Sequence, residues 1–245
     1  MRLPKAAAIL YTRWHYWHQY YQGGEPELRE LPNYVSKNKV SLDIGGNVGV
    51  YTYHLGRLSG EVITFEPNPK FVQYMRRAGL KNEIHPVALS DRDGVAELRV
   101  PAPNGNEDSG MASLEASAVP EDMLSRCLDI DLKRLDDYSF KNVGFIKIDV
   151  EGHEESVIRG AMATIEREKP VLLIEIEERH NPGGVERVKA LLHNHDAFFF
   201  QSGTRLPFSE FNINEHQNLN NIKPGLKSIR NSGYVNNFLF LPRPH

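Results

Sequence analysis

The stretch Lys39-Val40-Ser41-Leu42-Asp43-Ile44-Gly45-Gly46-Asn47-Val48-Gly49, running on into Val50 to Leu58, decides the fold. An apolar run ends in an acidic residue, three glycines follow within five positions, and an apolar-periodic segment comes next. This reads as strand, tight turn and helix, the unit with which open parallel sheets hold ligands at their carboxyl edge. Glycine lacks a Cβ, so a ligand can pass close to the main chain, and N–H groups at the helix start can meet a ligand carboxylate. The dinucleotide fingerprint G-x-G-x-x-G would need glycine where Asn47 and Val50 stand. The turn instead reads D-x-G-x-N-x-G.

A strand later, Val62-Ile63-Thr64-Phe65 ends in Glu66, where a carboxylate can accept from both hydroxyls of a ribose. S-adenosylmethionine (SAM) carries an ammonium, a carboxylate and a sulfonium but no phosphate, so acidic and amide partners suit it better than a bare phosphate cradle. Asp43, Gly45, Asn47, Gly49, Glu66 and Pro67 are therefore the candidate cofactor residues. Ala88-Leu89-Ser90 follows a third strand, where such sheets place an adenine-binding edge, and these three join the cofactor candidates; as bare sequence they read only as strand and turn.

Around this unit, short β-branched or aromatic runs alternate with amphipathic segments, the signature of βαβ units. Strands are predicted at Lys39 to Ile44, Glu61 to Glu66, Glu83 to Leu89, Val95 to Val100, Gly144 to Asp149, Val171 to Ile176, Ala197 to Gln201 and Tyr234 to Leu241. Helices are predicted at Val50 to Leu58, Pro69 to Ala78, Glu154 to Glu168 and Val185 to His193. Residues 1–38, with Tyr11, Trp14, Tyr16, Trp17, Tyr20 and Tyr21, read as an aromatic-rich helical extension that packs on the sheet or on a second copy, or stacks on a sugar. Residues 39–245 form the ligand-binding domain, with insertions at about 101–120 and 202–233 that shape a substrate pocket. In the second insertion, several asparagines with His216, Lys223, Lys227 and Arg230 suit a polar pocket or a solvated loop.

The 245 residues carry a formal charge of −3, so no overall basic field draws nucleic acid or an anionic membrane. A small-molecule or glycan acceptor is expected, and no nucleic acid. Cys127 is the single cysteine, which excludes an intramolecular disulfide and a CxxC metal site. Ala6 to Leu10 is too short for a signal-peptide core, and no window approaches the roughly 20 apolar residues of a membrane span. The chain reads as cytoplasmic.

At the next carboxyl edge, Phe145-Ile146-Lys147-Ile148-Asp149-Val150-Glu151-Gly152-His153-Glu154 is a buried strand breaking into polar residues. Glu154 and Glu155 fit a helix start, where the dipole favours acids. Asp149, Glu151 and His153 are the catalytic candidates, because methyl transfer to an alcohol needs the acceptor beside the methyl group and a base for its proton. The same three suit a divalent ion, a reading that spacing leaves open. Glu175 and His180, after the following strand, are candidate substrate contacts.

With these residues in place, the chain resembles the FkbM family of SAM-dependent methyltransferases. The resemblance runs from about Val40 to Glu177: D-x-G-x-N-x-G, Phe65-Glu66-Pro67, Ala88-Leu89-Ser90-Asp91, Ser113-Leu114, Ile146 to Gly152 with Glu154, Val157 to Ala161, and Ile174-Glu175-Ile176. It implies an α/β, Rossmann-like class I methyltransferase fold, with a seven-stranded, mostly parallel sheet, an antiparallel last strand and helices on both faces. It also implies SAM as donor and O-methylation of a sugar or polyketide hydroxyl. Cofactor roles fall on Asp43, Gly45, Asn47, Glu66, Ser90 and Asp149, with Glu151 nearer the acceptor. Methylation of nitrogen or carboxylate, an NAD-dependent oxidoreductase, and a non-catalytic SAM-binding protein are the competing readings.

Overall fold

A computed structural model of the chain describes residues 5–23, 25–80, 82–101, 112–115, 124–201, 203–221 and 233–244. Most of the 101–120 stretch, together with Lys223, Lys227 and Arg230, lies outside the described residues. The chain opens with α1 (Lys5–His18), a π-turn (Gln19–Gly23) and α2 (Glu27–Glu30). The alternating body follows: β1 (Val40–Ile44), α3 (Val50–Leu58), β2 (Glu61–Phe65), α4 (Pro69–Arg77), β3 (Glu83–His85), β4 (Ala88–Leu89), β5 (Gly94–Pro101) and β6 (Leu124–Lys133). Next come β7 (Val143–Ile148), α5 (Glu154–Arg159), α6 (Met162–Glu168), β8 (Val171–Glu175), α7 (Gly184–Leu191), β9 (His195–Gln201), β10 (Thr204–Pro207), α8 (Ile213–His216) and β11 (Asn237–Pro242).

The main sheet runs β10-β9-β11-β8-β7-β1-β2-β3. Strands β8, β7, β1, β2 and β3 pair in parallel, and β11 enters antiparallel between β8 and β9. Seven of its strands follow the class I arrangement expected above. The sheet is nonetheless eight-stranded, because β10 folds back on β9 as a hairpin through Gly203 (φ 80°).

A second, three-stranded sheet, β4-β6-β5, corrects the expectation of one strand from Glu83 to Leu89. Pro86 has no N–H to give a ladder, so the chain leaves the main sheet after His85 and rejoins a different partner at Ala88. The helix predicted from Glu154 to Glu168 is likewise two. A Cβ on Gly160 would stand 1.9 Å from the Ser90 carbonyl oxygen, so the helix surface there must be bare. The Asp136 carboxylate restarts the chain as α6 by accepting from the N–H groups of Ala163 and Thr164 at 3.0 and 2.8 Å.

Strand alternation divides the core. Leu42, Ile44, Ile146, Ile148, Leu172 and Ile174 face Val157, Ile158 and Ile165 of α5 and α6 and Val185 and Val188 of α7. Phe145, Leu173 and Leu239 face Leu28, Tyr51 and Leu55 from α2 and α3. Helices thus cover both faces. Strand order reverses between β1 and β7, and the crevice beyond their carboxyl ends is where such a sheet holds ligands.

Candidate active site

The turn after β1 is built for close approach. Gly45 and Gly46 both donate to the Phe65 carbonyl, at 2.9 and 3.2 Å, which closes the turn over the end of β2. Gly45 has φ 85°, and a Cβ there would lie 1.8 Å from the carbonyl oxygen of Asp149, so no other residue fits. Asn47 also takes the left-handed region, at φ 48°, which asparagine tolerates better than most residues.

Glu66 reaches back to the turn. Its Oε2 accepts from Asn47 N at 2.7 Å and its Oε1 from Asn68 N at 2.8 Å. Burial pushes its carboxyl from an ordinary 4.5 to about 7, against the downward pull of those two bonds. Asp43 is sealed beneath the turn, where it accepts from Thr52 Oγ1 of α3, and burial lifts it to about 6.

A cleft runs along the sheet edge. Gly45, Asn47, Glu66, Pro67 and Val87 line one side; Ala88, Leu89 and Leu98 come from the second sheet, Ala112 and Leu114 from the segment bridged to it between Ser113 and Arg99, and Asp149, Val150, Glu151 and His153 from the loop after β7. Asp43, Gly49 and Ser90 do not line it. Gly49 starts α3 against Met75 and Leu80, and Ser90 is buried below. A second recess adjoins the cleft and shares Gly45, Asn47 and Asp149 with it; Gln19, Glu25, Asp43, Tyr51 and Lys147 complete its wall.

Lys147, Glu25 and Tyr51 carry chemistry that the sequence reading passed over. Register places Lys147 opposite Asp43 on neighbouring strands. Its ammonium is fully buried, 3.7 Å from Asp149 Oδ2, 3.4 Å from Asn237 Oδ1 and 5.0 Å above the Tyr51 ring. Burial lowers its pKa, but the carboxylates of Asp149, Glu175, Glu25 and Asp43 outweigh that and hold it above the ordinary lysine value. Glu25, brought in by the N-terminal segment, accepts from Tyr51 Oη at 2.5 Å. Asp149 keeps 29 % of its side-chain surface open; burial nevertheless pushes its carboxyl above the ordinary value, against the pull of the Lys147 ammonium. Glu175 is pushed well above the carboxylate range by burial, then by Asp149 and Glu25, and accepts from Asn236 at 2.6 Å.

Asp149, Glu151 and His153 do not converge as one ligand set, which corrects the metal grouping entertained from the sequence. The His153 ring turns away to bridge Ser90 Oγ at 2.9 Å and Glu115 Oε1 at 2.7 Å, so both ring nitrogens are engaged. Glu151 pairs instead with His180 Nδ1 at 3.1 Å. Among the described residues the one carboxylate and imidazole group compact enough for an ion is Glu151, Glu177 and His180. There Glu177 is already held by Arg179 at 2.5 and 2.9 Å and by Tyr234 Oη at 2.7 Å. Burial lowers the His180 pKa, but the Glu151 carboxylate overcomes this and holds it above the ordinary value. Glu151 sits at φ 53°, a strained position fixed by Ser113 Oγ donating to its carbonyl at 2.5 Å. Glu154, predicted as a simple helix start, is buried; its Oε1 accepts from Gly152 N at 2.8 Å, and burial raises it to about 7.

The family model described as Methyltransferase FkbM domain matches residues 43–206, more than half of the chain. The chain belongs to the FkbM methyltransferase family. Methyltransferase 1 of Beauveria bassiana (strain ARSEF 2860) is 30% identical over 141 residues, which cover 49% of this FkbM chain and 57% of that protein. The match thus spans less than two thirds of that relative's length. The crystal structure of an FkbM methyltransferase from Methylobacillus flagellatus KT overlays with a TM-score of 0.51 at 16% identity, covering 84% of this chain and 44% of that one. That likeness shows the class I fold. A Streptococcus thermophilus rRNA methylase overlays at 0.47 with 14% identity, covering 89% of this chain and 95% of that one, too weak a likeness to bear on an acceptor. No helix among the described residues is long and apolar enough to cross a membrane.

Proposed function

We propose that this FkbM chain is a SAM-dependent O-methyltransferase acting on a hydroxyl, most naturally that of a sugar in a surface polysaccharide or glycosylated natural product. The observation that carries the cofactor assignment is the Glu66 carboxylate folded onto a turn with no room for a Cβ at Gly45. Glu66 would take the ribose hydroxyls, the apolar wall of Val87, Ala88, Leu89 and Leu98 the adenine, and Asp149 with the recess beside it the amino-acid end. SAM supplies an electrophilic methyl group on a sulfonium.

The chain's own part is to bring a hydroxyl in line with that methyl and to take up its proton. Glu151 borders the cleft two residues beyond Asp149 and is held by His180, so the carboxylate is the group we assign as base. His153, with both nitrogens engaged, positions the loop between Ser90 and Glu115. Gln19, Glu25 and Leu28 line the recess, and Ala112 and Leu114 line the cleft, which supports acceptor selection by the N-terminal segment and the 101–120 insertion. Segment 202–233 is assigned the same role from the sequence.

Calorimetry with SAM and NAD in separate titrations tests the cofactor, and NAD binding without SAM binding would sink the proposal. A panel of glycans and aminoglycans, read by mass and NMR for methyl on oxygen or nitrogen, tests the acceptor. Methyl found only on nitrogen or carboxylate would replace it.

A further inference from the structure

We propose that the outward face of α1 docks on an anionic lipid bilayer surface. The helix has two unlike sides. Thr12 and Tyr16 are buried against the body; Tyr16 Oη donates to the Val48 carbonyl at 2.6 Å, and its own carbonyl meets His54 Nε2 at 3.1 Å. Arg57 lies 4.7 Å over the Trp17 ring and ties down the flank. Opposite stand Leu10, Tyr11 and Trp14, with Tyr21 in the π-turn, at 68, 59, 59 and 62 % exposure.

At 3.6 residues per turn, positions 10, 11, 14 and 18 fall within a stripe roughly 100° wide. Rings continue along it, Tyr11 to Trp14 at 6.1 Å and Trp14 to His18 at 5.2 Å. Four of the seven exposed large hydrophobic side chains among the described residues belong to this one patch, and such concentration marks an interaction surface.

Charge selects the occupant. Residues 1–24 hold Arg2, Lys5 and Arg13 and no carboxylate, in a chain whose net charge is −3. A second copy docking on this face would bring two such carboxylate-free, net-positive segments together with nothing in them to offset the charge. Anionic headgroups offset them instead, and attract them within a Debye length. Tryptophan and tyrosine, apolar rings with a polar edge, suit the headgroup layer, where a helix lies flat with its aromatic side down. Through the Tyr16 bond to Val48, this docking would hold the glycine turn about one helix diameter, roughly 10 Å, from the lipid. Association would be peripheral and reversible.

Trp14 and Trp17 are the only tryptophans, so selectively excited tryptophan emission reads this helix alone. The full chain is mixed with phosphatidylcholine vesicles, with and without phosphatidylserine. Co-sedimentation and a blue-shifted emission are expected with phosphatidylserine only, weakening with salt. The shift should persist in Trp17→Phe and vanish in Trp14→Phe. Replacing Leu10, Tyr11 and Trp14 together by serine should weaken partitioning about a hundredfold or more, while circular dichroism and Tm stay near the parent because all three side chains are exposed. Absence of binding at low salt, or binding unchanged by the triple replacement, overturns the proposal. So does a dimer, seen by light scattering, that the triple replacement disperses with no vesicle binding by the parent, since the face then belongs to a second copy.

Discussion

Replacing Gly45 by alanine isolates the close approach on which the site depends. The new Cβ would stand 1.8 Å from the Asp149 carbonyl oxygen and 2.8 Å from its carbon, both main-chain atoms of the neighbouring strand end. These cannot swing aside as a side chain would, so β1 and β7 must part at their carboxyl ends. The bond that resists is Asp149 N–H to the Ile44 carbonyl, 2.9 Å long. Losing it with both groups buried costs about 1–3 kcal/mol, and holding alanine at φ 85° costs about 1–2 kcal/mol more. Together that is about 2–5 kcal/mol, or a fall in Tm of roughly 4–20 °C for a chain of this size. Gly56 is the control: it is exposed on α3 and nothing lies within 4 Å of its added Cβ, so alanine there should raise stability by about 0.5–1 kcal/mol. Differential scanning calorimetry reads both, and SAM titration reads the turn. A Gly45→Ala protein whose Tm stays within about 1 °C of the parent would refute the steric argument. One that melts early yet binds SAM with unchanged affinity would place the cofactor away from this turn.

Glu66→Gln keeps the shape but turns an amide toward one of the two N–H groups, so SAM affinity should fall about 10- to 100-fold by calorimetry; unchanged affinity removes the ribose assignment. Because the Glu66 carboxyl rises from 4.5 to about 7 on folding, the folded chain keeps a proton that the unfolded chain releases. Stability therefore falls as pH rises through that window and levels above it; the same variant should show a shallower fall in denaturant titrations, and an identical slope would contradict the assignment. Lys147→Met leaves Asp43, Asp149 and Glu175 without their shared ammonium and should cost about 3–5 kcal/mol in alkaline buffer, less in acid where the carboxyls take up protons; a neutral effect at high pH would count against this network. Glu151→Gln should cut turnover about 10²–10⁴-fold with SAM affinity kept, and His180→Asn less, since His180 only holds the base; full rates in both would move the base elsewhere.

Local signals made the centre of the fold readable in advance. Val50 to Leu58 forms the helix that its periodicity and the preceding glycine announce, and Glu66 lies beside the turn because parallel neighbours end at one level. Pro86 has no N–H for a ladder, so the run from Glu83 to Leu89 that reads as one strand is shared between two sheets. The strand at Leu124–Lys133 carries plain alternation, with Leu128, Ile130 and Leu132 on the apolar side, and is absent from the strands predicted above. Lys147 was hidden by its setting: a lysine within an apolar strand looks like noise until register sets it against Asp43. The partners of Glu151 and Tyr51 come from distant segments, His180 and Glu25, and no periodicity forecasts such meetings.

The electrostatics of the two cavities argue for a cationic cofactor independently of glycine spacing. Asp43, Glu66, Asp149, Glu175 and Glu25 border or adjoin them, and Lys147 is the ammonium set among these groups. Burial raises Asp43 to about 6 and Glu66 to about 7, and lifts Asp149 and Glu175 as well. Carboxyls raised by burial ionise more readily beside an added positive charge, whereas a pyrophosphate would add charge of the wrong sign. A sulfonium and an ammonium bring the right sign, and in ionising these groups they must displace protons. SAM binding near pH 6 should therefore release protons, seen as a binding enthalpy that changes with the ionisation enthalpy of the buffer. The release should shrink as pH rises above 7, where Glu66 is already ionised, and shrink further in Glu66→Gln. A buffer-independent enthalpy at pH 6 would mean that the carboxyls do not sense the ligand's charge.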